Sequence, residues 1–200
     1  MQDTIIKAVE FLKENDPVLS EIISKVGPCT LKPSESFFKN LIKSVISQQL
    51  SLSAARTIWS RVEGLTDQTI DPSFILDIDQ ESLRKAGLSN QKVKYVKEIA
   101  RFFIEDPLIS EKLKIMTNEE IIQMLTKIKG VGIWTAQMFL IFSLCRTDVL
   151  PVDDLGLKKS LKIHYLNQIE SEPLHLVDIA QKWGGFSTIA CWYLWKALDV

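Results

Sequence analysis

The chain has 200 residues, a formal charge of −1 and a pI near 6.2, so it has no global basic character, and positive charge toward a polyanion must be local. Its length suits one large domain or two small lobes around a shared cleft, and an apolar share of 46% is enough for a core without staples. Cys29, Cys145 and Cys191 are isolated and odd in number, which points away from zinc, iron–sulfur and disulfide frameworks and toward reduced thiols in a cytosolic setting.

Helical periodicity dominates from the first residues. Ile5, Ile6, Val9 and Leu12 form a stripe after the capping residue Asp3, and this start reads as an amphipathic helix rather than a signal peptide. A second stripe, Phe38, Leu41, Ile42, Val45 and Ile46, follows a cap at Ser34 or Ser36. Ser51 suits the cap of a helix carrying Ala54, Ala55, Ile58 and Val62, and Ser89 that of one carrying Val93, Val96, Ile99, Ala100 and Phe103. Thr117 and Glu120 have capping-box spacing before Ile121, Ile122 and Leu125. A last helix begins near Ser187 and carries Ile189, Ala190, Tyr193, Leu194 and Leu198. Strand signals are scarce, no stretch is long and apolar enough to cross a membrane, and neither repeats nor low-complexity tracts occur. The expectation is an all-α chain of nine or ten helices. Its softest loops fall at Pro28–Pro33, Thr66–Pro72 and Asp106–Ser110, and His164 and His175 read as surface residues.

"IKGVGIWTA" interrupts this pattern. A helix from Thr117 to Ile128 would stop at Lys129-Gly130, Val131 would point inward, and Gly132 would open a helix running to about Cys145. Two helices joined by such a turn make a helix-hairpin-helix. Glycine permits close backbone approach, and the N–H groups opening the second helix favour an anion, for which a DNA phosphate is a natural guest. An ordinary helical turn with glycine past its end is the plainer reading. Further on, "PVDDLGLKKSLK" puts Asp153 and Asp154 before a lysine-bearing helix start, where either suits a cap and either could act on a sugar held through its phosphate.

Five stretches together carry a resemblance: "LIKSVISQQLSLSAARTIWSRV", "AGLSNQKVKYVKEIA", "IKGVGIWTA", "LPVDDLGL" and "WGGFSTIACWYLW". From about Phe37 to Leu198 the chain resembles the helix-hairpin-helix DNA glycosylase superfamily, and most of all its DNA-3-methyladenine glycosylase II, alkylation-repair type. The resemblance implies two α-helical lobes with the base pocket in the cleft between them, in a compact form without an N-terminal β domain. One lobe would comprise about 1–35 with 145–200, and the other about 36–144 with the hairpin at 117–145. Members that also cut the strand carry a Schiff-base lysine where this chain has Trp134, so the resemblance implies a monofunctional enzyme that removes a base and leaves an abasic site.

By the same resemblance Asp154 matches the catalytic aspartate, which leaves Asp153 as a cap or structural acceptor. Trp134 and Trp195 match aromatic walls that would hold a cationic alkylated base, such as 3-methyladenine or 7-methylguanine, by cation–π attraction. Trp192, one turn before Trp195, either joins them or packs in the core, while Trp59 and Trp183 read as structural. Met138 and Leu155 stand where some members have aromatic residues, and Gly185-Phe186-Ser187-Thr188 replaces a frequent Pro-aromatic-Arg-Ser.

The DNA-binding set implied is Gln48, Gln49, Lys129, Gly130, Val131, Gly132 and Thr135, with Gln49 entering the space left by a flipped base. No cofactor is required. The resemblance implies a structural monovalent cation, sodium or potassium, on the backbone carbonyls of Thr126, Ile128 and Val131. Lys127, Lys129, Lys158, Lys159 and Lys162 offer local positive charge or a solvated face. The expected partner is double-stranded DNA with damaged bases, met by a monomer in the cytoplasm at the nucleoid, or in the nucleus of a eukaryote. Two other readings stay open: a glycosylase for deaminated or oxidised bases, and a lesion-binding helix-hairpin-helix protein without catalysis.

Overall fold

A computed structural model describes residues 2–34, 36–65, 70–165 and 176–199. His175 and residues 66–69 of the expected Thr66–Pro72 loop lie outside the described residues. In chain order the α-helices are α1 Gln2–Asn15, α2 Pro17–Val26, α3 Phe37–Ser47, α4 Leu52–Gly64, α5 Pro72–Asp77, α6 Gln80–Lys85 and α7 Asn90–Glu105. There follow α8 Ile109–Ile115, α9 Asn118–Leu125, α10 Ile133–Phe142, α11 Leu155–Tyr165, α12 Leu176–Ala180 and α13 Ser187–Lys196, with a 3-10 turn at Gln181–Trp183. The fold is all-α, with no strand among the described residues. The thirteen α-helices among the described residues exceed the nine or ten expected, because several are too short to show an apolar stripe.

The chain forms two compact units, Ser34–Leu144 and Met1–Pro33 with Cys145–Val200. In the first, α3 is central. Its stripe of Leu41, Ile42, Val45 and Ile46 is wholly buried, which favours folding by about 1.5–3 kcal/mol for each such side chain. Phe37 meets Phe139 of α10 edge to face at 5.6 Å, and Phe38 meets Phe103 of α7 at 5.3 Å. Helix starts follow the expected caps: the side chains of Ser36, Ser51 and Ser89 each accept a first-turn N–H, and Thr117 with Glu120 completes a capping box.

In the other unit α1, α2, α11 and α13 surround Trp183 and Tyr193, both fully buried. Asp16 is the buried polar centre here, only 1% exposed. Its Oδ1 accepts the N–H groups of Val18 and Leu19 at the start of α2. Its Oδ2 accepts the Tyr165 hydroxyl at 2.6 Å and the Trp183 indole N–H at 3.0 Å. Burial first, and then the Asp16 carboxylate, push the Tyr165 hydroxyl above the usual tyrosine range, so it remains a donor. Asp16→Asn keeps an oxygen for the cap but turns an amide NH₂ toward two donors. We expect a cost of about 2 kcal/mol, read as a fall of about 4–8 °C in thermal melting. An unchanged melt would mean that the network is dispensable. His164, expected at the surface, is half-buried, and burial lowers its pKa.

Candidate functional site

In the unit Ser34–Leu144, both hairpin helices are shorter than the spacing suggested. Helix α9 ends at Leu125, and residues 126–130 form turns before α10 opens at Ile133 and closes at Phe142. The two glycines do different jobs. Gly130 has φ +96°, in the region that disfavours side chains, and a Cβ there would fall under 3 Å from three carbons of the Tyr95 ring. Gly132 has an extended φ of −90° and open space around it. Gly132 is the N-cap of α10 and, lacking a side chain, makes no side-chain cap bond to the helix. Val131 is buried, while Gly132, Ile133 and Trp134 are exposed.

The Gln48–Gln49 junction faces the same concavity as this turn, an open space of about 740 Å³ that Trp134, Thr135 and residues 128–132 also line. The Gln48 amide donates to the Gly130 carbonyl at 3.1 Å and to the Thr135 hydroxyl at 3.0 Å. Gln49 is exposed with φ +57°, a left-handed conformation that costs a non-glycine residue about 1–2 kcal/mol. Gln48, Gln49, Lys129, Gly130, Val131, Gly132, Thr135 and Trp134 are therefore brought together. Met138, one turn beyond Trp134, is buried within α10. Lys127 and Lys129 are exposed.

In the other unit Asp154 is 8% exposed and directly precedes α11. Its Oδ1 accepts the Leu157 backbone N–H at 2.8 Å and the Trp195 indole N–H at 2.8 Å. This corrects the expected split of roles within the pair: Asp154 caps the helix. A cap accepts from the residue three positions on, and with α11 opening at Leu155 that register belongs to Asp154. Asp153 points outward and pairs with Lys158 at 3.1 Å, its side chain 87% exposed.

Trp195 thus holds the carboxylate through its N–H. Gly156 makes that approach feasible: a Cβ there would stand 3.1 Å from Asp154 Oδ1 and 3.2 Å from the Trp195 ring. Cys191, one turn before Trp195, is fully buried, and burial and the nearby Asp154 carboxylate both raise its thiol pKa. Trp192 is buried and stacks edge-on with Tyr193 at 4.9 Å, a packing arrangement. Leu155 is 80% exposed beside the carboxylate. Lys159 and Lys162 are exposed on α11. The roles of Gly156, Tyr95 and the Trp195 N–H escaped sequence reasoning; only the glycine inside "DDLGL" hinted at one of them.

Residues 42–183 match the family of HhH-GPD superfamily base excision DNA repair proteins. The chain belongs to this superfamily. Among HhH-GPD relatives it is similar to DNA-3-methyladenine glycosylase 1 of Schizosaccharomyces pombe, 35% identical, with 92% of this chain and 82% of the relative covered. It is also similar to the alkylbase DNA glycosidase-like protein mag2 of that organism, 31% identical over 95% and 92% of the two chains. Of solved structures, the S. pombe 3-methyladenine DNA glycosylase in complex with abasic DNA superposes with a TM-score of 0.84 at 35% identity, over 97% of each chain. DNA-3-methyladenine glycosidase from Bacillus halodurans superposes at 0.81 and 35%, over 95% and 88%.

Proposed function

We infer that this chain is a DNA glycosylase that excises alkylated bases by hydrolysing the N-glycosidic bond and leaves an abasic site. The observation that carries this reading is Asp154, a buried carboxylate fixed by the Leu157 N–H and the Trp195 indole. It supports a definite chemistry. As the bond breaks, the bonding electrons leave with the base and positive charge grows on the deoxyribose. A preorganised carboxylate stabilises that charge. Water then adds at the sugar carbon, and Asp154 orients it and accepts its proton. A base alkylated at a ring nitrogen departs neutral, so no general acid for the leaving group is needed.

The exposed Trp134 supplies an aromatic face suited to a cationic base. Gln49 enters the duplex where the base has left, and the α10 N-terminus with Lys129 receives a backbone phosphate. The names of the relatives, a DNA-3-methyladenine glycosylase and an alkylbase DNA glycosidase-like protein, favour this substrate class over deaminated and oxidised bases. The fold family implies a monovalent cation at the hairpin. The carbonyls of Thr126, Ile128 and Val131 fit in kind, being neutral oxygen donors along the non-helical stretch that joins α9 to α10. Bound there, the ion would add positive charge near a phosphate.

By the sequence resemblance Trp134 stands where strand-cutting members carry a Schiff-base lysine, and an indole cannot form that bond, so the strand should stay intact until alkali cleaves it. Borohydride added during turnover on methylated duplex should trap no covalent protein–DNA adduct. A trapped adduct would contradict the hydrolytic reading.

A further inference from the structure

The inserting junction is built on a lysine that no step above uses. Lys92 lies in the first turn of α7, whose start is fixed by the Ser89 cap. Its Nζ donates to the backbone carbonyls of Ile46 and Gln48, each at 2.7 Å. Those carbonyls belong to the C-terminal end of α3, where the last C=O groups lack helical partners and the dipole favours a cation. One turn along, Tyr95 sets its ring against Gly130, and the Gln91 amide bonds the Tyr95 hydroxyl. A single face of α7 therefore touches both the junction that carries Gln49 and the turn that opens α10. Between them the Gln48 side chain bridges to Gly130 and Thr135.

The geometry points to Lys92 as a positioning residue for Gln49. By clamping the carbonyls on either side of Ser47 and just before Gln49, it keeps the chain in the left-handed turn that projects the Gln49 side chain outward. An ammonium is suited to this because one Nζ can donate to two carbonyls at once. Burial lowers the Lys92 pKa, in keeping with a side chain committed to the protein rather than to a phosphate in solvent. Its contribution is to base extrusion, before any bond is broken. This rests on the reading of Gln49 as the residue that enters the duplex.

The test is a double-mutant cycle. Lys92→Met keeps the length of the stem and removes the donor, Lys92→Arg keeps a cationic donor, and Gln49→Ala removes the inserted group. Excision of 7-methylguanine is followed in a fully paired duplex and in the same strand with the lesion unpaired in a one-nucleotide bulge, and thermal melting verifies each fold. Lys92→Met should lower duplex excision about tenfold, much less in the bulge, where little base pairing must be undone. Lys92→Arg should recover part of the loss. In the Gln49→Ala background Lys92→Met should cost little more, because both act on one step. Equal losses from Lys92→Met with and without Gln49 would overturn the positioning role and leave the insertion reading standing. Full duplex activity of Gln49→Ala alone would overturn the insertion reading, and the proposal with it.

Discussion

Asp154→Asn should lower base release by about 10³-fold or more, the order expected when preorganised charge opposite a developing transition-state charge is removed. The fold should survive. Asparagine caps helices as well as aspartate does, and its amide oxygen can still accept the Leu157 N–H and the Trp195 indole N–H that Oδ1 receives now. The variant therefore keeps these two bonds and removes the negative charge, so binding to abasic-site DNA should stay near wild type. Asp153→Asn breaks only an ion pair on an exposed side chain and should leave excision within about twofold, as such pairs contribute little. Single-turnover excision and abasic-DNA binding, measured side by side, check both. If Asp153→Asn is the more damaging variant, the assignment is wrong.

Gly130→Ala should be the most damaging change at the hairpin. The methyl group would have to displace the Tyr95 ring while the backbone holds φ +96°. Strain and overpacking together should cost about 3 kcal/mol or more. The turn also presents the carbonyl that Gln48 bonds, so the damage should reach the junction. Lesion-DNA binding should fall about tenfold or more with no change in charge, since the loss is of backbone placement rather than of counterion release. Gly132→Ala, in extended backbone with open space around it, should melt and bind nearly as wild type does. The pair is checked by thermal melting and by titration with abasic-site duplex. Equal tolerance of both substitutions would make the turn a plain helix connection.

This asymmetry shows where the sequence could be read and where it could not. Both glycines look alike in "KGVG", and only the packing of Tyr95, 35 positions earlier, separates them. Helices α3, α4, α7 and α9 were legible because a capping side chain precedes a long apolar stripe. Helices α5, α6, α8 and α12 have five to seven residues, too few turns for a 3.6-residue period to stand out. At the site, the hairpin and the aspartate pair were visible as local patterns. The choice of cap within the pair depended on where α11 begins, and the long-range hydrogen bonds of Trp195 to Asp154 and of Lys92 to Gln48 leave no trace in spacing. Side chains that could have been phosphate contacts or pocket walls were drawn instead into holding other functional groups in place.

The measurement that bears most directly on the account is chromatography of free bases released by the wild-type chain and by Asp154→Asn. The substrates are methylated duplex DNA and matched duplexes carrying uracil, hypoxanthine or 8-oxoguanine. The account predicts 3-methyladenine or 7-methylguanine from the methylated duplex with wild type, almost none with Asp154→Asn, and little from the other three. Release of a deaminated or oxidised base in preference to the methylated ones, or tight abasic-site binding with no base released at all, would contradict it.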